Sequence, residues 1–267
     1  MKKHDYRNKR WILDFYSSAI TWWGESWGDG TNLEARATFL ERYAPVGSDI
    51  LELGAGTGET ARYLANHGYL VSAVDITPEN IDLIKRSSRD TPSLTPILGD
   101  YLSVSIAKLF DVVLLFETFG IGSDADQRRL LERIDREWLK PGGYLLMDVY
   151  HPFGPMRDAG RKIDLDPLDQ VSTSVAMHEY TDYDLVACRW IDTWEPQKHP
   201  ENTRVQSFRC YTPADLCLLF KGLDLEIIDV FFDEKKVDTI RSTDETVCYD
   251  TAFRDTYAYR IACRKKR

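Results

Sequence analysis

Between residues 46 and 150 the chain alternates short apolar runs with amphipathic stretches, and that alternation leaves few folds open. Residues 49–53, 70–74, 95–98, 110–116 and 143–149 read as strands buried on both faces. Between them, residues 59–66, 78–87 and 125–139 have helical spacing, with Gly68 as a stop after the first and Pro141-Gly142-Gly143 after the last. Repeated strand–helix–strand units require a mostly parallel sheet with helices on both faces, so the fold class is α/β and three-layered.

The flanks differ from this core. Asn32 is placed to cap a helix running to about Tyr43, behind an aromatic-rich segment from Trp11 to Trp27. After the core, residues 171–181, 185–195 and 203–211 read as long β-segments with little helix between them, which predicts an antiparallel insertion after the fifth strand. Thr212-Pro213-Ala214-Asp215 then starts a helix ending at Gly222, and residues 225–232 and 256–263 are two strands able to complete the sheet. We expect a single domain over 1–267. Residues 1–45 form an N-terminal extension, 46–150 the core, 151–211 the loop and insertion, and 212–267 the completion of the sheet.

The segment Ile50-Leu-Glu-Leu-Gly-Ala-Gly-Thr-Gly58 carries the chemistry. A strand runs into a turn with Gly54, Gly56 and Gly58, and a helix starts directly after it, which describes a ligand-binding turn. A dinucleotide fingerprint needs glycine where this chain has Glu59, and a carboxylate at a helix N-terminus opposes a pyrophosphate, so a nicotinamide oxidoreductase is a distant reading. The next strand ends in Asp75, near the offset at which a carboxylate accepts hydrogen bonds from ribose hydroxyls.

Four motifs in this order, Glu52-Leu-Gly-Ala-Gly-Thr-Gly58, Val74-Asp75, Gly99-Asp100-Tyr101 and Leu139-Lys-Pro-Gly-Gly143, make the chain resemble the class I S-adenosylmethionine-dependent methyltransferases of small molecules. The resemblance implies a Rossmann-like, seven-stranded sheet with a reversed last hairpin, and S-adenosylmethionine as cofactor with S-adenosylhomocysteine as product. It also implies that Glu52, Gly54, Ala55, Gly56 and Gly58 wrap the methionine half and that Asp75 holds the ribose. By the same likeness Ile76 packs beside the adenine, Asp100 with Tyr101 sits at its amino edge, and Phe116 and Glu117 face the sulfonium and the acceptor.

Methyl transfer from a sulfonium is a direct displacement that needs alignment and exclusion of water, and a base only where the acceptor must lose a proton. His151, directly after the fifth strand, is the leading candidate for that base, and Glu117 is the second. Trp22, Trp23 and Trp27 form either an aromatic lid over a cationic group or a pin that fixes the terminus. The 34 Lys and Arg against 43 Asp and Glu give a net charge of −9, unfavourable for nucleic acid; basic residues cluster only near the ends. The longest apolar run, Val112 to Phe116, is too short to cross a bilayer, and five scattered cysteines without a CxxC pair indicate neither a disulfide framework nor a metal site. The expectation is a cytoplasmic enzyme acting on a small molecule, with its oligomeric state open between monomer and homodimer. Two alternatives remain: a protein or peptide methyltransferase with an open acidic groove, and a non-catalytic S-adenosylmethionine-binding module without a cavity.

Overall fold

A computed structural model describes residues 9–24, 32–167, 174–232, 235–237 and 256–267. The helices are α1 (Arg10–Trp23), α2 (Leu33–Glu41), α3 (Glu59–Asn66), α4 (Pro78–Ser87), α5 (Asp124–Arg133), α6 (Phe153–Arg157) and α7 (Pro213–Leu219). The first five strands are β1 (Asp49–Leu53), β2 (Leu70–Asp75), β3 (Leu94–Leu98), β4 (Phe110–Leu115) and β5 (Leu139–Tyr150). The insertion supplies β6 (Lys162–Leu165), β7 (Met177–Asp184), β8 (Arg189–Pro196) and β9 (Arg204–Arg209), and the chain ends with β10 (Leu225–Phe232), β11 (Lys235–Val237) and β12 (Ala258–Lys265).

The main sheet has the order β11-β10-β12-β5-β4-β1-β2-β3. Strands β3, β2, β1, β4 and β5 run parallel, while β12 is antiparallel to both β5 and β10. The expected seven strands are all present, and the three-residue β11, antiparallel to β10, adds an eighth. From β1 the chain winds outward to β3, then returns to place β4 on the other side of β1. The crevice at the carboxyl ends of β1 and β4 is therefore the topological switch point, where open α/β sheets bind ligands.

Alternating side chains divide the core between the two faces. Leu51, Leu53, Val113 and Leu115 pack with Leu130, Trp138 and Leu216 on the α5 and α7 side. Ile50, Val112 and Leu114 pack with Leu40, Leu64 and Ile84 on the α2, α3 and α4 side. Each strand thus buries both faces, as its continuous apolar run requires.

Three boundaries differ from the expectation for physical reasons. The helix expected over 125–139 is α5 followed by a π-helical turn, Ile134–Trp138, and Leu139 already pairs with Phe110 in the sheet. Pro141-Gly142-Gly143 lies within β5, in a bulge where the register shifts between Phe110 and Val112. In the insertion, residues 185–188 form a turn in place of a strand, because Asp184 Oδ1 accepts the Val186 and Ala187 amides at 2.9 and 3.0 Å. β7 begins at Met177, whereas residues 171–173 of the expected strand lie outside the described residues. Short β6, unforeseen, completes a four-stranded antiparallel sheet, β6-β7-β8-β9.

That second sheet is fastened to the crevice. Arg189, fully buried, donates to Ser207 Oγ (2.8 Å), to the Ser207 carbonyl (2.8 Å) and to the carbonyls of Gly122 (2.7 Å) and Gly120 (3.3 Å) in the loop after β4. Ile121 of that loop bridges Phe208 of β9. Helix α1 lies against the same region. Lys9 Nζ meets Asp126 Oδ1 at 2.6 Å, and the Trp22 carbonyl accepts the Val175 amide at 3.0 Å.

Candidate functional site

A cavity of about 630 Å³ opens at the switch point. One end is bordered by Glu52, Gly54, Ala55, Gly56, Asp75, Ile76, Asp100, Tyr101, Phe116 and Glu117, ten of the twelve positions picked from sequence as cofactor or catalytic residues. The other end, unforeseen, is bordered by Ile12, Leu13 and Tyr16 of α1, Ile121, Tyr150, and Gln206 and Phe208 of β9.

The glycine turn is shaped by the protein around it. Gly54 has φ +74°, and a Cβ there would meet Thr118 Oγ1 at 2.5 Å; Gly58 has φ +85°, and a Cβ there would meet Ile84 Cγ1 at 2.5 Å. Both positions therefore need glycine for backbone and for packing. Gly58 caps α3 from behind and is not in the cavity wall.

Asp75 ties this turn to β2. Its Oδ2 accepts the Gly56 amide at 2.8 Å, while Oδ1 accepts the Thr77 amide (2.8 Å), Thr77 Oγ1 (2.6 Å) and Asn80 Nδ2 (3.2 Å). Burial raises its pKa, and the donors pull the other way. With three donors Oδ1 is filled, and Oδ2, with one, keeps acceptor capacity.

Glu52 is buried deeper in charge terms. Its carboxylate accepts the Ala61 amide, Oε2 has no partner, and desolvation pushes its pKa up to about 8. Asp100 Oδ1 accepts the Leu102 amide at 2.8 Å. Glu117 has φ +54°, rare outside glycine at a strand end, and its Oε2 meets Arg36 Nη2 at 2.9 Å. Arg36, from α2, also donates to Thr60 Oγ1 at 2.8 Å and lies 4.9 Å over the Phe116 ring.

His151 is not in the cavity. Its Nδ1 accepts the Phe153 amide (3.2 Å), Nε2 meets Thr256 Oγ1 (3.1 Å), and its ring packs near Phe153, Phe232 and Tyr259. Burial lowers its pKa to about 4. The reason is strand pleating: neighbours point to opposite faces, and Tyr150 takes the cavity side. Continuing the two-residue period from Leu146 through Asp148 would have selected Tyr150 from the sequence. The Tyr150 ring lies tilted to Phe208 (4.7 Å) and edge-to-face with Trp190 (5.2 Å), and desolvation with the Glu117 charge raises its pKa well above the ordinary value.

Trp22 and Trp23 are likewise away from the cavity wall. Trp22 is buried against Phe15 and Trp23, and Trp23 meets Trp194 of β8 edge-to-face at 4.7 Å. They pin α1 to the insertion, while Ile12, Leu13 and Tyr16 of the same helix border the cavity. Trp27 lies outside the described residues. Beneath the roof Tyr16 Oη donates to Gln206 Oε1 at 3.4 Å, and Gln206 Nε2 to the buried Asp192 Oδ2 at 2.6 Å.

Among the described residues no cluster of three or more His, Cys, Asp or Glu is arranged for a metal, and no helix is long and apolar enough to cross a membrane.

Residues 50–143 match the sequence profile of a family described as a methyltransferase domain. Among curated proteins, the cypemycin N-terminal methyltransferase of a Streptomyces species is 32% identical over 117 residues, 43% of this chain and 46% of that one. A demethylmenaquinone methyltransferase of Paenarthrobacter aurescens is 29% identical over 157 residues, 58% and 59% of the two chains. The chain thus spans about half the length of the curated relatives it matches. Among solved structures, the CcbJ methyltransferase of Streptomyces caelestis superposes with a TM-score of 0.72 over 99% of this chain and 100% of its own, at 19% identity. CalS10, an amino pentose methyltransferase of Micromonospora echinaspora, gives 0.61 over 90% and 94%, at 17% identity. Residues 50–143 are therefore a methyltransferase domain, and the fold as a whole is that of the methyltransferase structures on which the chain superposes.

Proposed function

We propose that the chain transfers a methyl group from S-adenosylmethionine to a small-molecule acceptor enclosed beneath α1 and β9. One observation carries this reading: a single cavity joins the glycine turn and strand-end acids to an apolar chamber roofed by Ile12, Leu13 and Tyr16. The donor end fits the cofactor. An orphaned buried Glu52 oxygen suits a ligand ammonium, and Asp75 Oδ2 has room for a hydroxyl donor. Ile76 offers apolar surface and Asp100 an acceptor for the adenine, and the face of Phe116 suits a cationic centre. The bound cofactor supplies a methyl carbon on a sulfonium, open to direct displacement.

The protein's own contribution is alignment and dryness. Tyr150 and Glu117, near the ends of β5 and β4, both border the cavity, and α1 covers part of it. Glu117, exposed and paired with Arg36, is the residue in this wall able to take an acceptor proton toward solvent. His151, neutral and occupied, holds the loop after β5.

The roofed chamber favours a small acceptor over a protein substrate, which would need an open groove, and a cavity continuing past the donor end favours catalysis over mere cofactor storage. The relatives are named for the N-terminus of cypemycin, an amino pentose and demethylmenaquinone. The test is calorimetry with S-adenosylhomocysteine, followed by mass-detected methyl transfer to a metabolite panel. Failure to bind S-adenosylhomocysteine overturns the donor site, and salt-dependent shifting of RNA or DNA overturns the small-molecule assignment.

A further inference from the structure

We propose that Gln206 of β9 selects the acceptor: its side-chain oxygen, turned into the chamber and held there by Asp192, accepts a hydrogen bond from a hydroxyl or an amine N–H. The acceptor is then a small alcohol or amine and not a molecule whose polar groups are carbonyls alone. This names the substrate class of the acceptor chamber and rests on the reading above. Gln206 and Asp192 belong to the insertion, outside residues 50–143, and none of the four sequence motifs includes them.

The orientation of the amide follows from its neighbours. Asp192 of β8 and Gln206 of β9 stand directly opposite each other, and Asp192 Oδ2 accepts from the Gln206 amide at 2.6 Å. The same oxygen accepts the indole N–H of Trp194, also at 2.6 Å. An indole nitrogen can only donate, so this oxygen is an acceptor, and the Gln206 atom bonded to it is the NH₂. The carbonyl end, Oε1, is left to face α1, where Tyr16 Oη meets it at 3.4 Å. Asp192 is 1% exposed, so water does not compete for the bond that fixes the amide.

The surroundings of Oε1 make it selective. Gln206 and Tyr16 both border the cavity, and the wall beside them is apolar, with Ile12, Leu13, Ile121 and Phe208. An amide oxygen has two lone pairs, and Tyr16 engages one of them at a distance beyond the usual range for two oxygens, so a ligand donor can add to that bond or displace it. A ligand that brings only another acceptor to this oxygen loses its own water and gains no bond. Asp192 touches no ligand and is a positioning residue. Without its acceptor oxygen the amide is free to turn its NH₂ into the chamber, and the preference for donors is lost.

Two probes of one shape test this. p-Cresol carries a hydroxyl, and 4-methylanisole has the same ring with that hydroxyl masked by a methyl group. In ligand-observed NMR titrations of the protein saturated with S-adenosylhomocysteine, p-cresol should bind about three- to tenfold tighter, the worth of one neutral hydrogen bond. Both probes should give interligand Overhauser contacts to the S-adenosylhomocysteine. Gln206→Leu should bring the ratio below about twofold with 4-methylanisole held as before, which also checks that the variant is folded. Asp192→Asn should lower the ratio too, with S-adenosylhomocysteine affinity unchanged, whereas a merely structural role would weaken both probes alike and leave the ratio intact. Tyr16→Phe should keep or raise it. Equal binding of the two probes by the wild type, a preference that survives Gln206→Leu or Asp192→Asn, or one that disappears in Tyr16→Phe would overturn the assignment while leaving the chamber standing. If the protein loaded with S-adenosylhomocysteine takes up neither probe, the chamber reading falls and the assignment falls with it.

Discussion

Replacing Asp75 by alanine is expected to weaken the glycine turn before it weakens ligand binding. Four donors converge on this carboxylate, two of them backbone amides, Gly56 and Thr77. Alanine leaves both amides and the Asn80 side chain without their acceptor, at about 1–3 kcal/mol for each buried group that finds no replacement. Gly56 borders the cavity, where water can take over, but Thr77 and Asn80 are buried. Of the three buried donors the Thr77 hydroxyl can rotate to another acceptor, so the Thr77 amide and the Asn80 side chain are left unsatisfied and give a loss of about 3 kcal/mol; at roughly 2–4 °C per kcal/mol for a chain of this size the melting temperature falls by about 6–12 °C. Asparagine is the informative companion. Its amide oxygen can face Thr77 and Asn80 only by turning its NH₂ toward the Gly56 amide, so it loses one bond and costs about 1–2 kcal/mol. Differential scanning calorimetry of both variants without ligand measures this directly. If both melt within about 1 °C of the wild type and lose only affinity for S-adenosylhomocysteine, Asp75 is a ligand group and the turn stands without it.

The other outcomes can be stated briefly. Glu52 has its pKa raised to about 8 in the folded chain, so the folded state holds a proton that the unfolded chain releases near pH 4.5. Stability of the ligand-free protein should decline as pH rises from about 5 to 8, and Glu52→Gln should flatten that decline in urea titrations at four pH values. For His151 the sign is opposite: lowered to about 4, it stays neutral while the unfolded histidine protonates below about 6.5, so stability falls as pH drops through that window. His151→Ala should remove that component and cost about 1–3 kcal/mol, with the pH profile of methyl transfer unchanged; a lost acidic limb in the profile would restore His151 as a base. Trp22→Ala should free α1 from the insertion, raising amide exchange at residues 9–24 and abolishing acceptor turnover, with S-adenosylhomocysteine affinity preserved. Unchanged exchange would mean that the helix is held by its other contacts alone.

The donor end was legible because its signals are local. A glycine forced by a positive φ, an acid at a strand end and a Pro-Gly-Gly at the bulge of β5 each sit within a few residues of the element they define, so ten of the expected positions come together. The periods were equally plain in β10, α3 and α4, whose bounds match the expected ranges. The acceptor end was not legible, because it is made by contacts distant in sequence. Tyr16 meets Gln206 across 190 positions, and Ile121 meets Phe208 through a bridge that only the folded insertion creates. Arg36 gives no sequence signal at all, since one arginine on a short helix is ordinarily a solvated side chain.

The tryptophans show how a correct choice of segment can still assign the work to the wrong face. Aromatic side chains near a terminus fit both a lid and a pin, and composition does not separate them. Geometry does: on α1 the residues spaced three and four apart share a side, so Trp11, Phe15 and Trp22 pack with Phe208 and Met177, while Leu13 and Tyr16 border the cavity. The two roles are therefore carried by different residues of one helix, and they depend on each other. A roof only one helix thick stays closed over an apolar chamber if its outer contacts are strong, and here these are edge-to-face rings on β8 together with the Trp22 carbonyl on Val175. Release of those contacts would free α1 from the insertion without disturbing the sheet.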